Sequence, residues 1–191
     1  MERIGIYGGT FNPPHIGHME AAKQAVGKLN LNRLLLVPSN IAPHKVLPPN
    51  SPTALQRLEM LRIATADCPM LEVTDIELCR EGVSYTWQTV HALRQQHPDA
   101  QLILIMGTDM FLSFQEWKNP EQIVAEASLA VFYRGDKNER AAVDEEKRYW
   151  ESRGVSVQLV ENDVINISST QMRRLLIFRC AAEFLPEGVL E

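Results

Sequence analysis

Apolar and polar positions along the chain follow two alternating periods. Residues 3–7 form a short strand-like run that ends in Gly8-Gly9. Met19, Ala22, Val26 and Leu29 then recur three and four apart, which predicts a helix over 16–29. The apolar run 34–37 predicts a second strand, stopped by Pro38. Thr53 suits the N-cap of a helix whose apolar positions include Leu58, Leu61 and Ile63. Residues 71–76 read as a strand, and 86–96 as a helix closed by His97-Pro98. The continuous apolar run 102–106 predicts a strand followed by Gly107. A strand over 128–133, a charged helix over 139–153, an alternating strand over 155–160 and a helix beginning near Thr170 complete the pattern.

Strand and helix in regular alternation imply an α/β fold, a doubly wound parallel sheet with helices on both faces. Uninterrupted runs such as 102–106 suit strands buried on both sides. Ligands of such sheets bind beyond the carboxyl ends of the strands, where the strand order reverses. Gly8-Gly9 and Gly107 each fall just past a strand end, so both point to one crevice. The proline-rich stretch 38–52 predicts a long loop, and loops of that length tend to carry function.

The chain has 191 residues, 45% of them hydrophobic and 23% charged, which suits one globular domain over 1–191. A formal net charge of -5 speaks against a nucleic-acid binder. No apolar run approaches a membrane span, and Met1-Glu2-Arg3 opens directly into a strand pattern without a signal peptide. Cys68, Cys79 and Cys180 are scattered and unpaired by spacing, as expected of reduced thiols in a cytoplasm.

The chemistry concentrates in Gly8-Gly9-Thr10-Phe11-Asn12-Pro13-Pro14-His15-Ile16-Gly17-His18, between the first strand and the first helix. The string is neither a P-loop nor a dinucleotide fingerprint. Its two glycines admit a phosphate or base close to the backbone. His15 and His18, three apart at a helix start, can face one side together. The helix N-terminus adds free N–H groups and positive potential, and together these suit a polyphosphate whose charge grows in a transition state. A zinc site would need a third ligand, and none stands nearby in sequence. Near the C-terminus, Ser168, Ser169 and Thr170 begin a second helix with hydroxyls suited to an anion, and Arg173 one turn on can make forked contacts to phosphate oxygens.

His15-Ile16-Gly17-His18 after Gly-Gly-Thr-Phe resembles the H-x-G-H signature of the nucleotidyltransferase superfamily. Ile167-Ser168-Ser169-Thr170-Gln171-Met172-Arg173 resembles its second signature, I-S-S-T-x-x-R, in the right order. Further segments are similar to those of bacterial nicotinate mononucleotide adenylyltransferases: Pro43-His44-Lys45, Arg80-Glu81-Gly82-Val83-Ser84-Tyr85-Thr86, Gly107-Thr108-Asp109-Met110, Trp117 and Arg134. The resemblance implies a Rossmann-like nucleotidyltransferase fold. It implies transfer of the adenylyl group of ATP to nicotinate mononucleotide, giving deamido-NAD and pyrophosphate. The alternative acceptors are nicotinamide mononucleotide and phosphopantetheine. By the family pattern His18 contacts the α-phosphate, and His15 helps hold the phosphates. Lys45 reaches the triphosphate, and Ser168, Ser169, Thr170 and Arg173 hold its β and γ phosphates. Gly8, Gly9, Thr10 and Phe11 line the ATP site, and Gly107 and Asp109 border the adenosine. Lys45, Ser84, Tyr85, Thr86, Trp117 and Arg134 are candidates for the nicotinate mononucleotide side, with Tyr85 and Trp117 as stacking faces. Core packing is the other reading of those two aromatics, and helix capping that of Thr86. Mg²⁺ is expected to arrive with ATP rather than on protein ligands. A homo-oligomer is compatible with the sequence.

Two departures stand out. Asn12 occupies a position where the family commonly has Asp. The chain stops at Leu190-Glu191, where relatives usually continue, so a short C-terminal segment is expected to be missing.

Overall fold

A computed structural model describes residues 1–43, 46–133, 137–161, 169–177, 184–186 and 189. Six strands form one sheet: β1 (Arg3–Gly9), β2 (Arg33–Pro38), β3 (Leu71–Val73), β4 (Gln101–Gly107), β5 (Ser128–Tyr133) and β6 (Val157–Glu161). Their order is β3-β2-β1-β4-β5-β6, and every pairing is parallel. The order reverses between β1 and β4, which pair directly, with Tyr7 opposite Ile105. The two glycine-bearing strand ends are therefore neighbours at the switch point, as the sequence implies.

Helices cover both faces. On one side lie α1 (Ile16–Lys28) and α2 (Ala54–Thr65). On the other lie α3 (Thr86–Gln96), α4 (Thr108–Leu112), α5 (Pro120–Glu126) and α6 (Lys137–Glu151); α7 (Ser169–Ile177) closes the order. Within β4 the pleat divides the apolar run. Leu102, Leu104 and Met106 enter one core, while Ile103 and Ile105 enter the other. Gly5 lets α1 and its following turn settle on the sheet: a Cβ there would lie 2.5 Å from Leu34 Cδ1 and 2.6 Å from Leu31 Cδ1.

Several expectations shift. The strand expected over 71–76 ends at Val73, after which Thr74 donates to the Leu36 carbonyl and the chain turns. Thr53 does cap α2, accepting from the Gln56 backbone while Gln56 reaches back to the Thr53 N–H. Ile63, however, is 39% exposed, and Arg57 takes a place on the buried face beside Leu58 and Leu61. Three pieces between β4 and β5 fall outside the sequence pattern: α4, a 3-10 turn at Phe114–Glu116, and α5. Each is too short to display a helical period. Pro120 opens α5 after Asn119, which adopts a left-handed φ of 52°.

Candidate active site

The loop leaving β1 is organised by a buried ring. Phe11 is 2% exposed and takes a left-handed φ of 47°. Its ring stands edge-on to Tyr7 at 5.7 Å and to His18 at 5.0 Å. The same ring lies under Gly9, where a Cβ would approach it to 3.0 Å. Gly8 differs: a Cβ there would meet nothing within 4 Å, so space is open beside the strand end.

His15 occupies the N-cap position of α1 with an extended backbone. Its N–H donates to His18 Nδ1 at 3.3 Å, and the two imidazoles stack with centroids 3.7 Å apart. With Nδ1 accepting, a neutral His18 ring carries its proton on Nε2. The pair is unequal in burial. His15 is 4% exposed, and burial pushes its pKa from 6.5 down to about 4, so it is neutral at pH 7. His18 is half-buried. His15 therefore packs as a neutral ring against His18, with its Nδ1 buried and without a partner among the described residues.

The second motif docks onto the first. Ser169 Oγ donates to the Pro13 carbonyl at 3.4 Å, and Arg173 Nη1 donates to the Asn12 carbonyl at 2.8 Å. Arg173 Nη2 also donates to Thr170 Oγ1 at 3.0 Å. Side chains of α7 thus bond backbone carbonyls of the loop after β1, 156 and 161 residues away in sequence. Asn12 is buried, donates through Nδ2 to Ser51 Oγ at 3.0 Å, and leaves Oδ1 without a partner.

On the other flank the 80–86 segment is stapled to the start of the proline-rich loop. Ser84 N donates to the Ile41 carbonyl at 2.8 Å, Asn40 N donates to Ser84 Oγ at 3.0 Å, and Asn40 Nδ2 donates to the Arg80 carbonyl at 3.1 Å. Glu77, 8% exposed, accepts from Thr89 Oγ1 at 2.7 Å. Burial pushes its carboxyl up, opposed by hydrogen bonds from Thr89 and Ser84 and by the charge of Arg80. The Ser84 hydroxyl thus serves this network. Tyr85, rather than Thr86, holds the N-cap position of α3, and both are half-buried. Trp117 is half-buried, packs on the core and meets Phe114 edge-on at 5.2 Å. Gly107 and Asp109 are exposed at the end of β4 and the start of α4. Lys45, Arg134 and Ser168 lie outside the described residues.

One site residue is absent from the sequence reading. Arg57 is 1% exposed and donates through Nη1 to the Thr10 carbonyl at 2.6 Å. Its Nη2 donates to the carbonyls of Ser39 at 2.7 Å and Asn40 at 3.3 Å. A charged residue one position before Leu58 reads as solvent-facing by hydropathy. The signal available was its i, i+1, i+4 spacing with Leu58 and Leu61. Among the described residues, no group of three or more His, Cys, Asp or Glu could hold a metal ion.

Comparison with known proteins fits this geometry. The model of the cytidylyltransferase-like family matches residues 6–175. A protein of Neisseria meningitidis serogroup C named "Probable nicotinate-nucleotide adenylyltransferase" is 34% identical over 190 residues, spanning 97% of this chain and 92% of that one. This chain belongs to the nicotinate-nucleotide adenylyltransferases of the cytidylyltransferase-like family. A second adenylyltransferase of the same printed name, from Borreliella burgdorferi, is 32% identical over 190 residues, 99% of this chain and 92% of the relative. The adenylyltransferase fold is shared with the Plasmodium falciparum nicotinic acid mononucleotide adenylyltransferase solved with NaAD. That likeness has a TM-score of 0.75 at 17% identity and covers 99% of this chain and 93% of that one. The structure joins Ser169 and Arg173 to the loop after β1, beside the β1–β4 switch point.

Proposed function

We infer that this protein transfers the adenylyl group of ATP to nicotinate mononucleotide, releasing deamido-NAD and pyrophosphate. The observation that carries the reading is the docking of α7 on the loop after β1, Arg173 to the Asn12 carbonyl at 2.8 Å, which brings both signatures to one crevice. The relatives' names supply the acceptor.

An oxygen of the acceptor's 5′-phosphate attacks the α-phosphorus of ATP in line. The new P–O bond forms as the bond to the β-phosphate oxygen breaks, and pyrophosphate leaves with the electron pair. No protein nucleophile is needed, so catalysis is positioning and charge stabilisation. His18 donates from Nε2 to an α-phosphate oxygen, and the stacked, neutral His15 fixes its ring. The N-termini of α1 and α7, with Ser169 and Thr170, attract the phosphates. Arg173 keeps the two loops together and retains donors for the β and γ phosphates. The open space beside Gly8 admits the nucleotide, and Gly107 and Asp109 border the adenosine. Lys45, Ser168 and Arg134 are assigned here from the family pattern alone. Tyr85, Thr86 and Trp117 take the nicotinate ring, and N–H donors at the α3 start favour its carboxylate over a carboxamide. Mg²⁺ enters as part of the MgATP substrate, keeping most of its waters. The scattered, unpaired cysteines support a cytoplasmic site for the reaction.

His18→Ala tests the assignment. Turnover, followed as pyrophosphate release from ATP and nicotinate mononucleotide, is expected to fall by about 10²-fold or more in a variant that still folds, as circular dichroism checks. Near-normal turnover in the folded variant would remove His18 from the chemistry.

A further inference from the structure

Arg57 is a buried cation held by backbone carbonyls. Among the described residues no carboxylate lies within ion-pair distance of it, and its Nε is buried without a partner. Taking a guanidinium out of water costs several kcal/mol unless something repays it, and three carbonyl dipoles repay only part. Burial lowers its pKa, yet a guanidinium remains charged at any working pH. Packing alone would be met more cheaply by an apolar side chain of that length.

Its three acceptors explain the placement. The Thr10 carbonyl belongs to the loop leaving β1, and those of Ser39 and Asn40 to the loop leaving β2. One side chain thus ties the glycine loop to the root of the proline-rich loop, the segment that continues to Lys45. A charged donor on the Thr10 carbonyl also polarises the Thr10–Phe11 peptide, strengthening its N–H as a donor.

We propose that Arg57 is a positioning residue for ATP, locking the loops after β1 and β2 together so that the Thr10 loop is held in shape for the triphosphate bound across it. The proposal rests on the reading of this crevice as the ATP site. It predicts an effect on the nucleotide side, separate from any effect on stability.

The test is steady-state kinetics of Arg57→Lys and Arg57→Met in both substrates, with the folded fraction measured by urea titration and ATP affinity by calorimetry. Lys keeps the charge but cannot serve both loops with a fork, and it guards against misfolding of the Met variant. The KM and Kd for ATP are expected to rise about tenfold in Arg57→Lys and further in Arg57→Met, the value of one charge-assisted hydrogen bond or more. The KM for nicotinate mononucleotide should change less than about threefold, within the scatter of neutral substitutions. An ATP Kd within twofold of wild type in folded Arg57→Lys overturns the proposal. Equal rises in both KM values do so too, because they report general loosening. Absence of turnover in the wild type would instead overturn the proposed function, and the calorimetric comparison would still decide on Arg57.

Discussion

The most quantitative consequence of the site concerns His15. In the unfolded chain its imidazole titrates near 6.5, and in the folded protein burial lowers this to about 4. Below pH 6.5 the unfolded state therefore binds a proton that the folded state resists. The stability tied to a neutral His15 is complete above about 6.5 and is lost as the pH falls toward 4. A tenfold change in proton affinity is worth about 1.4 kcal/mol, so the full loss is about 3 kcal/mol, and about 2 kcal/mol is gone by pH 5. The perturbation is His15→Gln, which keeps a polar side chain and removes the titration. Urea unfolding at pH 7, 6 and 5 gives both stabilities by linear extrapolation. Wild type should lose about 2 kcal/mol more than the variant between pH 7 and pH 5, because all other groups titrate in both proteins. Parallel curves, agreeing to about 0.5 kcal/mol, would mean that His15 takes up its proton in the native state and that its burial does not hold it neutral.

Two further substitutions probe the crevice. Gly8→Ala should leave stability unchanged, because nothing lies within 4 Å of the added Cβ, while the KM for ATP rises at least about threefold as the methyl occupies ligand space; an unaltered KM for ATP would place the nucleotide elsewhere. Trp117→Ala should cost about 2 kcal/mol of stability in a urea titration, as a half-buried ring leaves Phe114, and should raise the KM for the acceptor more than that for ATP. A larger rise for ATP would move Trp117 out of the acceptor site.

Much of the fold was legible because its signals are local and repeated. The helix over Thr86–Gln96 and the strand over Ser128–Tyr133 lie where the apolar periods put them. A parallel sheet follows from the alternation itself. The order β3-β2-β1-β4-β5-β6 does not, since hydropathy carries no record of which strands are neighbours. The pieces between β4 and β5 were silent for lack of length. Ile63 and Arg57 exchanged faces because loops, not only side chains, cover α2: a guanidinium finds carbonyls where an apolar side chain would leave them unpaired. At the site, motif spacing pointed to His15 and His18 together. Their inequality depends on the burial of one ring behind the other, which spacing does not encode. Nor does it encode that Ser84 is spent on Glu77 and Asn40, or that Trp117 leans on Phe114.

Acceptor choice tests the central claim most directly. Pyrophosphate release from ATP is measured with purified protein and, in turn, nicotinate mononucleotide, nicotinamide mononucleotide and phosphopantetheine. The account predicts the highest kcat/KM for nicotinate mononucleotide, at least about tenfold above the others, as one charge-assisted contact to the ring carboxylate requires. Equal or greater efficiency with either of the other two acceptors would contradict it.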